Sequence, residues 1–233
     1  MKRLGILGGM GPHATQHFMQ VLLDTIARRR RPTHDQDYPD MTVFYENSTP
    51  DRTLAIKSDA TEAAARINQH LAHLLSLGCH PVAVACITAH SLIEPEMFAR
   101  GVLDFRDCLI RLYTELRDTA IAVLATDGSL ATGVFVPLEK HFKLLYPNDT
   151  PQRSIMEAIY GPKGLKADPA GSTVCRQALD RAIAAFEAQG AGAFLTGCTE
   201  LEMFMAREYA HLRLLLPMVS LCEHMCDLLA EDN

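Results

Sequence analysis

Two short stretches of this chain carry residue types suited to moving a proton at carbon. Ala85-Cys86-Ile87-Thr88-Ala89-His90 and Gly197-Cys198-Thr199-Glu200 each follow an apolar run, and each opens a predicted helix. They stand almost half the chain apart, as if one unit had been used twice. A thiolate is a polarisable, weakly hydrated base, and a helix N-terminus beside it lowers its pKa. Two cysteines facing each other across a cleft can take a proton from one face of a substrate carbon and deliver another to the opposite face. Such a pair would share one proton, a coupled titration. A carbanion formed without a cofactor has little resonance help, so donors arranged in advance must stabilise it. Taken singly, each cysteine reads as a small buried hydrophobe.

Other residues could surround that chemistry. Arg52 closes the polar loop Asn47 to Arg52, where its planar, bidentate donor suits a carboxylate, although a surface arginine would look the same. Thr88 and Thr199 offer hydroxyls and backbone N–H groups at predicted helix starts, for a carboxylate or as N-caps. His90 and Glu200 lie one turn beyond the cysteines, placed to tune thiol ionisation or to brace the site. The turn Gly8-Gly9-Met10-Gly11 could cradle an anion with backbone N–H groups. It lacks the G-x-G-x-x-G spacing of a dinucleotide site, and no acidic residue ends a second strand at the expected distance, so no nucleotide cofactor is expected.

The elements that must position these residues alternate. Lys2 to Leu7 reads as a buried strand, Thr15 to Arg30 as a helix, Met41 to Tyr45 as a strand and Thr61 to Leu77 as an amphipathic helix stopped by Gly78. Pro81 to Ala85 is the next strand, ending at Cys86. Thr119 to Ala125 begins the theme again, with Thr126-Asp127-Gly128-Ser129 as its turn and a helix from about Leu130. Pro147 to Pro151 reads as a loop, Gly171 to Gln189 as a long helix, Ala193 to Thr196 as a strand ending near Cys198, Leu212 to Val219 as a last strand and Leu221 to Leu229 as a last helix. This alternation predicts an α/β fold with mainly parallel sheets and helices on both faces. We expect two similar, pseudo-two-fold-related lobes: residues 1–105 plus 212–233 carrying Cys86, and 106–211 carrying Cys198. The active site falls in the cleft between them, at the carboxyl ends of the strands.

At 233 residues the chain can bury a sizeable core. Its net charge of −6 disfavours a general nucleic-acid or acidic-membrane surface. No segment is long and apolar enough to span a membrane. Seven cysteines, an odd number without an export signal, fit reduced thiols and a cytoplasmic setting. Cys222, His224 and Cys226 lack the further ligands a metal site needs, so no metal is expected. The basic run Arg28 to Arg31 reads as a solvated helix end.

In order and spacing, Gly5 to Thr15, Pro50-Asp51-Arg52-Thr53, Cys86-Ile87-Thr88-Ala89-His90, Leu165-Lys166-Ala167 and Gly197-Cys198-Thr199-Glu200-Leu201 resemble the aspartate/glutamate racemase superfamily, and within it the aspartate racemase branch. The resemblance implies two pseudosymmetric α/β domains and a cofactor-independent racemase with neither pyridoxal phosphate nor metal. It implies proton transfer by Cys86 and Cys198, a small acidic amino acid as substrate, and a homodimer. Met10, Arg52, Thr88, Lys166 and Thr199 would bind substrate, with His90, Glu200 and Ile87 around them. Lys166 would hold the distal carboxylate, with Lys163 as the nearby competitor for that place. Ile87 stands where the branch has asparagine and cannot form that residue's hydrogen bonds. His13 replaces a frequent Glu and Ser220 a usual Asp. A different reaction on another small acid, or a silent binding homologue, therefore stays open beside aspartate racemisation.

Overall fold

The structure, a computed structural model, describes residues 3–230, so Lys2 of the expected first strand lies outside the described residues. Three strands, β1 (Arg3–Gly8), β2 (Met41–Tyr45) and β3 (Cys79–Val84), form one sheet in the order β2-β1-β3. Four more, β4 (Ala120–Ala125), β5 (Lys143–Leu145), β6 (Ala193–Gly197) and β7 (Leu214–Leu215), form a second in the order β5-β4-β6-β7. Every pairing is parallel, with Ile6 opposite Val43 and Ala83, and Val123 opposite Leu195. Each sheet sets its first strand between its second and third, which is the repeated unit expected from the sequence. Each cysteine of interest follows the third strand of its sheet. Strand β6 is buried along its whole length, as a parallel strand covered on both faces must be.

Ten helices, among the described residues, cover the sheets: α1 (Pro12–Arg30), α2 (Arg52–Lys57), α3 (Thr61–Ser76), α4 (Pro95–Ala99), α5 (Phe105–Leu112), α6 (Asp127–Ala131), α7 (Asp149–Tyr160), α8 (Thr173–Glu187), α9 (Thr199–Glu208) and α10 (Pro217–Ala230). The largest apolar cluster joins both sheets: Leu4, Ile6, Phe18 and Leu22 share it with Ile121, Val123, Met218 and Met225. Each such side chain contributes roughly 1.5–3 kcal/mol on burial. Helix α10 packs against both α1 and α5 within this layer. A second cluster lies under α7, α8 and α9, and a third under α3.

Several boundaries differ from the sequence reading, each for a local reason. Helix α1 starts at Pro12 because proline is preset for a first turn, and α10 starts at Pro217 in the same way, cutting the expected last strand to Leu214–Leu215. The expected Thr126 to Ser129 turn is the start of α6, with the Thr126 side chain accepting from the Ser129 N–H. The expected loop from Pro147 enters α7 at Asp149. Arg52 ends no loop. It opens α2, capped by Asp51, whose carboxylate accepts from the Leu54 N–H at 3.0 Å. The basic run is more than a solvated helix end: Arg28 and Arg29 pair with Glu223, and Arg30 donates to the Leu229 carbonyl at 2.9 Å, fastening α1 to α10.

The short helices α2 and α6 pack directly on each other and tie the lobes near the cysteines. Lys57 meets Asp127 at 2.5 Å across this contact. Gly128 is buried against the Thr53 backbone, and a Cβ there would lie 2.8 Å from Thr53 Cα. Backbone cannot yield as a flexible side chain does. We therefore expect Gly128→Ala to lose about 1–3 kcal/mol, more than the ~1 kcal/mol alanine gains from helix propensity. Thermal denaturation checks this, and an unchanged or raised Tm would contradict the tight approach.

Candidate active site

Cys86 lies just past β3, and Cys198 just past β6, so equivalent strand ends present both thiols to one place. The two surroundings differ. Cys198 is the N-cap of α9, as expected. Cys86 leads only into a short 3₁₀ turn, Thr88–Leu92, so the expected α-helix N-terminus is missing on that side. The sequence pattern missed this because apolar spacing cannot distinguish a tight turn from the start of a longer helix.

The Cys198 thiol donates to Glu200 Oε2 at 3.1 Å, and the Thr199 hydroxyl donates to the same oxygen at 3.1 Å. Lys166 donates to the other oxygen, Oε1, at 2.8 Å. Burial followed by the Glu200 charge pushes the Cys198 thiol well up, with Lys166 pulling the other way. The lowering expected from the helix N-terminus is present, through the Glu200 N–H, but burial and the Glu200 charge outweigh it. Burial works against the Glu200 anion, yet the Lys166 charge and the donated hydrogen bonds hold its carboxyl below the ordinary range. Burial likewise disfavours the Lys166 ammonium, but Glu200 and the Cys198 side push it up. Lys166, not Lys163, reaches the site: Lys163 is exposed and offers only its carbonyl, to Ser172.

Arg52 is buried, at 8 % exposure, and faces the chamber from the first lobe. Its guanidinium donates to the carbonyls of Met10 at 2.6 Å, Pro50 at 3.2 Å and Thr49 at 3.3 Å. Its Nε has no partner. Arg52 thus braces the glycine turn and still holds a buried donor for a carboxylate. Thr88 closes on the other lobe, its hydroxyl hydrogen-bonded to Ser129 at 2.8 Å and to Thr126 at 3.3 Å. His90 reaches the backbone of Cys86, its Nδ1 lying 3.0 Å from that carbonyl oxygen, which fixes Nδ1 as the donor. Burial lowers the His90 pKa, so the ring is neutral near pH 7. Ile87 is 1 % exposed and belongs to the apolar layer between the sheets while also lining the chamber.

Both thiols line one chamber of about 10 Å³, room for roughly one water. A cleft of about 300 Å³ adjoins it, bordered by the Gly9 to Ala14 turn and by Asn47, Thr49 and Asp51. Met10, Arg52, Lys166 and Glu200 line both spaces and form the partition between them. At its present volume the inner chamber holds nothing larger than a water.

Thr53, Thr126, Ser129 and Tyr160 belong to the site and were not singled out from sequence. The duplication held a signal for Thr126, since it follows β4 as the glycine turn follows β1. Tyr160 had none: its hydroxyl donates to Asp51 across the lobes at 3.0 Å, and Lys166 lies 5.1 Å from its ring centre.

The description Asp/Glu/Hydantoin racemase matches residues 7–225. The chain belongs to that family. Among solved structures it is similar to the aspartate racemase of Picrophilus torridus, at 21 % identity and a TM-score of 0.75 over 95 % of this chain and 94 % of that one. It is similar to an aspartate racemase homologue from Pyrococcus horikoshii OT3, at 16 % identity and 0.69 over 98 % and 99 %. It is also similar to the glutamate racemase of Francisella tularensis solved with D-glutamate, at 13 % and 0.69 over 99 % and 82 %. These likenesses confirm the two-lobed α/β architecture. Among the described residues, no helix is long and apolar enough to cross a membrane.

In this racemase a second buried carboxylate, Glu202, supports the site from behind. It accepts the Met218 and Val219 N–H groups at 2.8 and 3.0 Å, joining α9 to the first turn of α10. Burial pushes its carboxyl up from 4.5 to about 8, against the two hydrogen bonds. The folded chain therefore keeps a proton that the unfolded chain releases. The stability from this group is complete below about 4.5 and is lost as pH rises through about 8. Urea denaturation should show wild type losing stability relative to Glu202→Gln across that window, by up to about 1.4 kcal/mol per pH unit. Identical pH profiles for the two proteins would refute the raised carboxyl.

Proposed function

We propose that the protein interconverts L- and D-aspartate, without a cofactor, by two-base proton transfer between Cys86 and Cys198. The observation that carries this reading is the shared chamber: equivalent strand ends of the two lobes bring the two thiols together between two cations, Arg52 and Lys166. In one direction the Cys86 thiolate takes the α-proton, the C–H electron pair stays on the carbon, and the Cys198 thiol gives its proton to the opposite face. The reverse reaction exchanges the roles. Arg52 and Lys166 offer a carboxylate site each, which suits a short dicarboxylic amino acid. Thr88 and Thr199 supply the small donors beside the thiols. Met10 closes the partition through which the substrate enters.

Ile87 supports aspartate only in part. Its side chain is committed to the apolar layer, so no polar group from this position reaches the substrate. This favours, as a second reading, another small dicarboxylate handled by the same thiols. In this account the protein acts as a cytoplasmic homodimer, with no nucleic-acid or membrane partner. Its lobes are residues 1–105 with 212–233, and 106–211. Helix α10 packs on α1 from the first lobe and equally on α5 from the second, and β7 pairs with β6 of the second sheet.

Cys86→Ala and Cys198→Ala should each lower racemisation by about 10²–10⁴-fold, measured from both enantiomers by chiral chromatography. Retained two-way racemisation in either variant would sink the two-base reading. Arg52→Ala should chiefly raise the KM for aspartate. An unchanged KM in a folded variant would remove Arg52 from substrate binding.

A further inference from the structure

Glu200 is a carboxylate placed where charge is hard to hold, and the protein is built to admit it. Its side chain is 7 % exposed. Lys166 takes one oxygen, and the Cys198 thiol and the Thr199 hydroxyl take the other. A Cβ on Gly11 would stand 2.7 Å from Oε1, so the glycine turn is cut back at the point where this carboxylate arrives. No equivalent exists across the chamber. Among the described residues no carboxylate is hydrogen-bonded to the Cys86 thiol, and the guanidinium of Arg52 lines the chamber instead.

We propose that Glu200 is a positioning residue that keeps the exchangeable proton on Cys198, making the two thiols unequal in the resting protein. The proposal rests on reading Cys86 and Cys198 as the two bases. The Cys198 proton can leave in two ways. It can cross the 3.1 Å hydrogen bond, giving a Cys198 thiolate and a Glu200 carboxylic acid with the same total charge. Alternatively it can leave for a substrate carbanion, which puts two anions side by side with the Lys166 ammonium as the near counter-charge. The first outcome is uphill from the thiol–carboxylate pair, because burial penalises the thiolate and the Lys166 contact favours the carboxylate over the acid. The second is driven by the carbanion, a far stronger base than either thiolate, and so waits until Cys86 has removed the α-proton. Cys86 is therefore the base with which a turnover begins. The enantiomer whose α-proton faces Cys86 is the one this resting form deprotonates, and the opposite enantiomer is taken by the less populated form with the proton on Cys86 and the thiolate on Cys198.

The charged and titratable groups around the pair are Lys166 and Tyr160 from the second lobe and Arg52 and Cys86 from the first, with His13 and Asp51 in the adjoining cleft. Two of these give opposite tests. Iodoacetamide is small and neutral, and its rate of reaction at Cys198 can be followed against pH by peptide mass spectrometry. Glu200→Gln keeps the shape and removes the negative charge, so the midpoint for Cys198 alkylation should fall by about 1–3 pH units. Lys166→Met removes the positive charge, so the midpoint should rise. A merely loosened site would hydrate the thiol and lower the midpoint in both variants, so the rise in Lys166→Met separates the charge effect from loosening. A midpoint that does not fall in Glu200→Gln, or does not rise in Lys166→Met, overturns the proposal. Near-ultraviolet circular dichroism identifies a variant that has not folded; the rise in Lys166→Met, or in Lys166→Gln if Lys166→Met does not fold, then decides. The readout is the thiol itself and needs no turnover, so failure here and failure of the racemase reading are separate results.

Discussion

The apolar layer between the two sheets determines what the strand ends can do. Leu4 and Ile6 from one sheet and Ile121 and Val123 from the other share one cluster with α1, α5 and α10. That layer holds two parallel sheets in a fixed relation, with their carboxyl ends on the same side. Parallel strands place loops and helix starts at those ends, and the chain uses both sets to wall one chamber. The thiols meet because the cores do.

Polar groups then divide the work. On the first lobe, Arg52 spends its donors on three carbonyls of two loops and keeps a buried Nε in reserve. On the second, Lys166 and Glu200 satisfy each other and bring Cys198 into their pair. Thr88, Thr126 and Ser129 join the lobes beside Cys86, and Tyr160 joins Asp51 from the other side. A buried charge needs a counter-charge or hydrogen bonds: Lys166 and Glu200 supply both to each other, while Arg52 is held by its carbonyls. Lys166 and Glu200 also line the partition between the chamber and the outer cleft, so the pair that holds Cys198 is part of that wall.

The alternation of strands and helices, the repeated lobe and the two cysteine motifs were legible in the sequence because they rest on local periodicity and on residue types. The resemblance added Lys166 and the choice of Arg52. Two expectations differ from the fold for different reasons. The turn after Cys86 is set by a neighbour distant in the chain, through the Thr88 contact with Ser129. At Cys198 the Glu200 N–H of the helix end does lower the thiol, but burial and the Glu200 carboxylate, two residues along and turned back onto it, outweigh that. Ile87 reads differently once folded. As sequence it is a lost polar contact, and in the fold it is one more member of the layer that joins the lobes. Short elements such as α2 and α6 were invisible because six or five residues carry too little periodicity to register.

The central claim is that two thiols in one chamber exchange the α-proton of aspartate from opposite faces. Proton NMR of L-aspartate, and separately of D-aspartate, in deuterated water with reduced protein and no added cofactor tests it most directly. The account predicts loss of the α-proton signal from either starting enantiomer, with the opposite enantiomer accumulating, and neither change with a Cys86→Ala/Cys198→Ala control. Folded, reduced protein that leaves the α-proton in place would contradict it.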